Sequence, residues 1–246
     1  MTMTAEPRTA PGLYRLLAWL SPNFPIGAFS YSHGLEAAVA EGVVCDAASL
    51  QGWIAAILTQ GSGRMDADIL RDAYRAAEDG QFAALDAANR RGLAFRATAE
   101  LALEAAQQGN AFLATCRAAW PDAFIEKWAS NPPPLAGEGR VGAGPPEGAC
   151  HSAVFGAVAA RAGIGLADAL VGYLHALSAN LVSAGLRLGI IGQTDGQRIL
   201  AASEPVVAHA ASAALTRAPA DFGAAAFAAD LASMAHESQH VRLFRS

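Results

Sequence analysis

The chain has 246 residues, 53% of them hydrophobic and 16% charged, and its formal net charge is −5. This composition provides little polar surface and predicts that some apolar surface meets another protein. Because Lys127 is the single lysine and the arginines are scattered, there is no basic stripe for nucleic acid. Three widely spaced cysteines, Cys45, Cys116 and Cys150, predict neither a disulfide framework nor a zinc knuckle and favour a reducing cytoplasm.

The first predicted helix follows Pro11 and carries leucines at helical spacing. The dozen residues at the start of the chain are polar and lack the apolar core of a secretory signal. After the first helix comes a stretch rich in proline and glycine, residues 21–36, with the sequence SPNFPIGAFSYSHGLE. Its prolines disfavour helix, yet it is too apolar for an ordinary solvated loop. The stretch is therefore either a packing wedge between helices or a surface shaped for a partner.

Helical periodicity dominates the part of the chain that follows this turn. A short helix is expected from about His33 to Gly42, and Asp46 can cap the next helix. Between residues 67 and 120 the pattern stays helical, with apolar side chains inward and the Arg and Glu side chains outward. Residues 131–148, NPPPLAGEGRVGAGPPEG, are so rich in proline and glycine that they predict a flexible loop within the folded domain.

The second half of the chain is also helical in pattern. Helices are expected over residues 150–163 and 166–191, and a third begins after Gly192 and is interrupted at Pro205. Asp221 is expected to cap a last helix.

The whole pattern predicts an all-α fold, one domain over residues 1–246 with about ten helices. No run of period-two alternation is long enough for a sheet. The uncharged stretch 169–186 contains polar residues that would be costly in lipid, which favours a buried core helix over a membrane span. We therefore expect no membrane association and a cytoplasmic location.

One motif near the end of the chain is typical of zinc enzymes. In His236-Glu237-Ser238-Gln239-His240, a helix would place both histidines on one face, with Glu237 as a general base. Only six residues follow, so no third ligand comes from downstream, and a solvated or partner-facing histidine pair is favoured. The alternatives are a small zinc metallohydrolase with His236 and His240 as ligands, or a nickel-binding chaperone that adds Cys150.

Other signatures of chemistry are weaker. The glycines at 137, 139 and 142 spell GxGxxG, but prolines surround them where a dinucleotide site needs a strand and a helix. No GxxxxGK[ST] phosphate loop and no GxSxG elbow occur in the sequence. We therefore expect no catalytic residues and no bound cofactor.

The sequence ends in RLFRS, where Arg242 and Arg245 flank Leu243 and Phe244. Arginine beside an aromatic residue is a composition typical of binding hot spots. The alternative is a frayed terminus, which is common at chain ends.

Four segments together resemble the UreF family of urease accessory proteins. The first runs from Leu17 to Gly42, and the second is GACHSAVFGAVAARAGI. The third is GQTDGQRIL, and the last has the pattern MxHExxxxRLFRS from Met234 to Ser246. Their order spans nearly the whole chain, and the first and last are highly specific. The insert at 131–148 is longer than the family connection.

The resemblance implies a non-enzymatic assembly factor with an all-helical, homodimeric structure. Proteins of this family bind an accessory protein called UreD or UreH. That complex recruits the GTPase UreG to apo-urease and couples GTP hydrolysis to nickel insertion.

The resemblance also suggests residue roles. Arg242, Leu243, Phe244 and Arg245 are expected to anchor the UreD/UreH-type partner, in a mobile tail at 241–246 that becomes ordered on binding. Tyr31, His33 and Glu36 are expected on or beneath the surface presented to UreG. Phe155 and Gly156 are the residues expected at the homodimer interface.

Overall fold

The computed structural model describes residues 10–130 and 148–246. Over these ranges the chain is all-α with no β-strand, which confirms the predicted fold class. The loop predicted at 131–148 lies outside the described residues except for Gly148. The described residues form eleven α-helices: α1 (Ala10–Trp19), α2 (Leu35–Ala40), α3 (Ala47–Thr59), α4 (Ser62–Glu78), α5 (Phe82–Ala94), α6 (Ala99–Ala119), α7 (Ala123–Ala129), α8 (His151–Arg161), α9 (Leu166–Arg187), α10 (Gln193–Thr216) and α11 (Phe227–Glu237), with 3₁₀ turns at Ala28–Ser30 and Pro219–Asp221.

Helices α4 and α8 form the centre of the fold, and they approach closely because Gly156 has no side chain. A Cβ atom at Gly156 would lie 2.3 Å from the carbonyl oxygen of Leu70 on α4. The neighbouring Phe155 is fully buried, with its ring 5.4 Å from that of Phe112 and 5.5 Å from that of Tyr173. The predicted role of Phe155 in a homodimer contact is therefore corrected, because its whole side chain is enclosed by its own chain.

Local capping explains where several helices begin. The Asp46 carboxylate accepts a hydrogen bond from the Ser49 N–H at 2.8 Å, and the Ser49 hydroxyl oxygen accepts one from the Asp46 N–H. This reciprocal pair is a capping box, and it confirms the predicted start of α3. Asp221, in contrast, lies in a 3₁₀ turn, and α11 begins only at Phe227. The predicted cap at Asp221 is wrong.

Helix α10 continues through Pro205, so the predicted interruption is also wrong. Proline removes one hydrogen bond from a helix and frees the carbonyl of the residue four positions earlier, which is Ala201. Both residues are exposed, so water can solvate the freed carbonyl. The buried stripe of α10 lies on the opposite side and keeps the helix packed against α3 and α9.

The periodicity predicts that the charged side chains of α4 and α6 point outward, but some of them are buried. Arg71 is buried and donates hydrogen bonds to the main-chain oxygens of Ala214 and Arg217. Asp68, also buried, accepts a hydrogen bond from the Arg217 guanidinium at 2.6 Å. These contacts fasten α4 to the end of α10, and they explain why buried charges are tolerated there.

Within the described part of the chain, two helices, α9 and α10, are long and apolar enough to cross a membrane by length and composition alone. About half of the most apolar window of α9 and a third of that of α10 are buried in the fold (50% and 33%). They pack against each other, and such helices also occur in the cores of water-soluble proteins. The absence of membrane association stays a prediction.

Candidate partner-binding surface

The turn segment, residues 21–36, connects α1 to α2 and has two faces. Phe24 and Tyr31 are buried, whereas the Phe29 side chain is 66% exposed. The packing-wedge interpretation therefore describes Phe24 and Tyr31, and the outward-surface interpretation describes Phe29. His33 and Gly34 adopt positive φ angles of 53° and 76°.

Gly34 is required where α2 meets α11. A Cβ atom on Gly34 would lie 2.7 Å from the main-chain nitrogen of Ser233. The left-handed backbone and this close approach together favour glycine at this position. The turn segment is thereby placed against the last helix of the chain.

The C-terminal segment, residues 241–246, packs against the turn segment. The Glu36 carboxylate accepts hydrogen bonds from the main-chain N–H groups of Leu243 at 2.6 Å and Phe244 at 2.9 Å. The Ser32 N–H donates to the main-chain oxygen of Ser246 at 2.6 Å, and the Arg245 N–H donates to the oxygen of Ser30 at 2.8 Å. The main chain of this segment therefore bonds to residues far away in the sequence, and its predicted mobility stays a prediction.

The side chains of the C-terminal segment divide into inward and outward groups. Phe244 is only 4% exposed, and the Arg187 guanidinium lies 4.2 Å above the centre of its ring. Leu243 is 54% exposed and Val241 is 85% exposed. Phe244 therefore anchors the segment to its own chain, and Leu243 and Val241 are available to a partner.

The two arginines of the segment also differ in their contacts. Arg242 donates to the Glu100 carboxylate at 2.5 Å and to main-chain oxygens at the end of α11, those of Glu237 and Gln239. Arg245 is exposed and contributes its main-chain N–H to the docking described above. A role for either guanidinium in partner binding stays a prediction.

Of the three residues predicted on or beneath the surface presented to UreG, Tyr31 and Glu36 are buried and His33 is partly buried. Tyr31 is buried and its hydroxyl donates to Gln107, while Glu36 is buried under the C-terminal segment. His33 contacts Glu104, with 3.1 Å between Nε2 and Oε1. Burial lowers the pKa of His33, but the Glu104 carboxylate outweighs this effect and the net shift is upward. The contacts of these side chains with α6 and with the C-terminal segment stabilise the conformation of the turn segment.

The possible zinc motif does not assemble. Helix α11 ends at Glu237, and His240 is exposed beyond it, so the two histidines do not share a helical face. His236 is fully buried, with Nδ1 2.7 Å from Glu100 Oε2 and Nε2 3.2 Å from Glu36 Oε2. The Glu237 carboxylate accepts a hydrogen bond from the Ala99 N–H at the start of α6. The zinc-enzyme interpretation of this motif is therefore wrong.

Cys150 does not complete a metal site with these histidines either. Its sulfur is buried and lies 3.4 Å from the Arg96 guanidinium and 3.4 Å from the Ser152 hydroxyl. Over residues 10–130 and 148–246, no group of three or more His, Cys, Asp or Glu side chains could hold a metal ion. The described residues thus provide no support for a nickel-binding chaperone.

A cavity of about 430 Å³ lies behind the turn segment, between α6 and α9. Asp66 and Arg96 form a buried ion pair of 2.6 Å at its wall. Burial alone would raise the pKa of Asp66, but Arg96 reverses this effect and the net shift is downward. The polar side chains that line the cavity include those of His33, Asp66, Arg96, Glu104, His151 and Tyr173.

Comparison with known proteins agrees with the resemblance noted in the sequence. A model of the UreF family matches residues 44–204. The urease accessory protein UreF of Bradyrhizobium sp. (strain ORS 278) is 46% identical over 238 residues, which cover 95% of this chain and 92% of that protein. The chain belongs to the UreF family. The UreF protein of Rhodopseudomonas palustris (strain BisA53) is 46% identical over 237 residues, which cover 96% of this chain and 94% of that protein. The UreF protein of Azorhizobium caulinodans is 42% identical over 246 residues, which cover 100% of both chains.

Membership of the UreF family makes this protein one of a group named as urease accessory proteins. The matched region of the family model excludes both the turn segment and the C-terminal segment. The UreF protein of Azorhizobium caulinodans, however, aligns over the whole chain, so that alignment includes both segments. The surface built from these two segments is therefore the candidate functional site of this UreF-family protein.

Several residues of this surface were not recognised from the sequence. Glu100 and Glu104 are one helical turn apart on α6, a spacing that places two carboxylates on one face. That spacing was the available signal for a charged cluster on this face. Their partners His236 and His33 lie 136 and 71 positions away, so the sequence pattern alone could not identify them.

Proposed function

We propose that this UreF-family protein is a urease maturation scaffold. With a UreD/UreH-type partner, it recruits the GTPase UreG to apo-urease and couples GTP hydrolysis to nickel insertion. The observation that carries this proposal is the family membership, at 42–46% identity to proteins named as urease accessory protein UreF over nearly the whole chain. The protein acts through its interfaces and is not itself an enzyme.

The outward side chains of the C-terminal segment support partner binding. Leu243 presents an apolar side chain beside the exposed Arg245, a pairing typical of interface hot spots. Exposed apolar side chains also occur on the outer face of α11, namely those of Phe227, Leu231 and Met234. In the proposal, the UreD/UreH-type protein binds this C-terminal surface.

Tyr31, His33 and Glu36 have an indirect role in the proposal. Tyr31 and His33 contact Gln107 and Glu104 on α6, and Glu36 holds the main chain of the C-terminal segment, so these three side chains support the surface for UreG indirectly. Exposed Phe29 is the apolar side chain that the turn segment offers outward.

A homodimer also belongs to the proposal. Its contact uses side chains other than Phe155, which is enclosed in the core.

Replacement of Leu243 with aspartate tests the C-terminal surface. Because this side chain is half exposed and only its main chain docks, the variant is expected to fold normally. A charge at a desolvated contact should reduce co-purification with the UreD/UreH-type partner by about ten-fold or more. Co-expression with a tagged partner, followed by quantitative pull-down, measures this.

Replacement of Val43 with aspartate provides the matched control, since Val43 is an apolar side chain of similar exposure in the turn after α2. It should co-purify like the unsubstituted protein. If both Leu243→Asp and Arg245→Ala co-purify fully with the partner, the C-terminal segment does not contribute to partner binding. Urease that acquires nickel and activity equally well without this protein would contradict the proposed function as a whole.

A further inference from the structure

The cavity behind the turn segment combines apolar walls with a few buried polar groups. Its apolar lining includes Phe24 and Ile26 of the turn segment and Leu177 on α9, and its polar lining includes the ion pair of Asp66 and Arg96. Sites for small molecules in proteins have this composition, and their volumes are of the same order as the 430 Å³ of this cavity.

The cavity opens to solvent between the turn segment and α9. Asn23 and Pro25 of the turn segment and His175 on α9 line the cavity, and all three residues are exposed. A small molecule can therefore reach the cavity from solvent along these residues.

Two residues of the cavity lining carry a buried polar atom that has no hydrogen-bond partner. Among the described residues, these atoms are Nε1 of Trp19, at the end of α1, and Nδ1 of His33. Trp19 is only 2% exposed, so its N–H group is shielded from bulk solvent. A buried donor without an acceptor is costly and uncommon in folded proteins. The Trp19 N–H group therefore indicates an occupant that provides a hydrogen-bond acceptor.

The carboxylates of the cavity lining already have partners, which favours a neutral occupant. Both oxygens of Asp66 accept from the Arg96 guanidinium. Glu104 contacts His33 Nε2 with one oxygen and accepts from the Ser246 hydroxyl with the other. An ion would therefore enter without a free partner of opposite charge, at a high cost in desolvation. In the described part of the chain, moreover, no group of three or more His, Cys, Asp or Glu side chains could hold a metal ion.

We propose that this cavity binds a neutral, largely apolar small molecule with a hydrogen-bond acceptor, and that the Trp19 N–H group orients this molecule. The apolar part of the molecule lies against Phe24, Ile26 and Leu177. Binding in the cavity is a property of the isolated protein and is independent of the urease maturation role. A negative result for one therefore leaves the other unaffected.

Prodan, a neutral naphthalene ketone whose fluorescence depends on its surroundings, is a suitable probe of this class. With about 17 non-hydrogen atoms, it is expected to bind the full chain at one site with a Kd on the order of 0.1 mM. Its emission should shift to shorter wavelength as the naphthalene leaves water. The matched probe is anilinonaphthalene sulfonate, an anion of similar size. It should displace prodan about ten-fold less well or worse, because its sulfonate finds no free cation in the cavity.

The indole N–H signals of the protein report the orienting contact directly. The chain has four tryptophans, so a proton–nitrogen correlation spectrum contains four indole signals. The Trp19 signal, assigned by its loss in Trp19→Phe, should move downfield as prodan provides an acceptor, and it should saturate with the Kd measured by fluorescence. Trp128 is the internal control, because its Nε1 already donates to Asp86 at 2.7 Å and it does not line the cavity. Its signal should keep its position.

Replacement of Ala179 with phenylalanine fills part of the cavity from α9. Ala176, Ala179 and Ser183 are spaced by three and four residues and all line the cavity, so they form the face of α9 that borders it. The Ala179→Phe protein should bind prodan about ten-fold more weakly or worse. The matched control is Ala167→Phe, at an exposed alanine of the same helix outside the cavity lining, which should bind like the unsubstituted protein.

Three results would overturn the inference. The first is an absence of saturable prodan binding, which would mean that the cavity holds water only. The second is unchanged prodan binding in a folded Ala179→Phe protein, and the third is saturation by prodan without movement of the Trp19 signal. The first and third are measured on the unsubstituted protein, so the test stands even if Ala179→Phe does not fold.

Discussion

Replacement of Gly156 with alanine is expected to lower the free energy of unfolding by about 3 kcal/mol, near the top of the usual cost of overpacking. The new Cβ atom would lie 2.3 Å from the carbonyl oxygen of Leu70. That oxygen belongs to the main chain of α4, so it cannot rotate away as a flexible side chain would. Relief of the contact therefore requires α8 to move away from α4 and to disturb the packing of the core.

Urea denaturation followed by circular dichroism measures this loss. The matched control is Gly52→Ala on α3, where a Cβ atom meets nothing within 4 Å. Because alanine favours helix over glycine, this variant should be neutral or more stable by up to about 1 kcal/mol. A loss below about 1 kcal/mol in Gly156→Ala would contradict the close approach of α4 and α8.

The same variant separates core packing from the predicted homodimer contact at Gly156. A clash within one chain lowers stability equally at all protein concentrations. A contact between two chains makes the loss depend on concentration by mass action. We expect the same loss at concentrations that differ by about a hundred-fold, since Gly156 faces Leu70 of its own chain.

Features that depend on short-range chemistry could be predicted from the sequence. The start of α3 follows from Asp46, whose capping partner is three residues away. The predicted end of the short helix after His33 was close to the observed α2, which ends at Ala40. These elements depend on neighbouring residues, so the sequence pattern contains most of the information.

Features that depend on distant contacts could not be predicted. Pro205 is a helix breaker by local rules, yet the packing of the buried face of α10 preserves the helix through it. Arg71 is a charged residue of α4, yet it is buried, because its guanidinium donates hydrogen bonds to the main-chain oxygens of Ala214 and Arg217. These acceptors lie 143 and 146 positions later in the sequence. Local rules fail here because tertiary contacts offset the local cost.

The candidate site illustrates the same division. The composition of residues 242–245 indicated an interface, and the outward Leu243 is compatible with it. The docking of this segment was missed because Glu36 accepts hydrogen bonds from residues 207 and 208 positions away. The histidine of the apparent zinc motif, His236, lies instead between the carboxylates of Glu36 and Glu100, which only the fold brings together.

Acidification from about pH 6.5 to pH 4 is expected to cost the protein about 3 kcal/mol through His151 alone. Burial, partly opposed by Asp66 and Glu104, lowers the pKa of His151 to about 4 from an ordinary value of 6.5. The unfolded chain therefore binds a proton in this range before the folded protein does. The stabilisation by neutral His151 is complete above pH 6.5 and is lost as the pH falls towards 4.

Replacement of His151 with phenylalanine removes this titration and keeps an aromatic ring near Phe112 and Tyr173. The Tyr173 hydroxyl loses a contact of 3.5 Å, which shifts stability by a similar amount at every pH. Urea denaturation of both proteins between pH 4 and 7 should thus give unfolding free energies whose difference changes by about 3 kcal/mol. The net pKa shift of His33 is upward, so its stabilisation is lost only as pH rises above about 6.5, and both proteins carry His33, so this change cancels in the difference. Parallel pH profiles would show that His151 is solvated and charged in the folded protein, and would contradict the buried aromatic cluster.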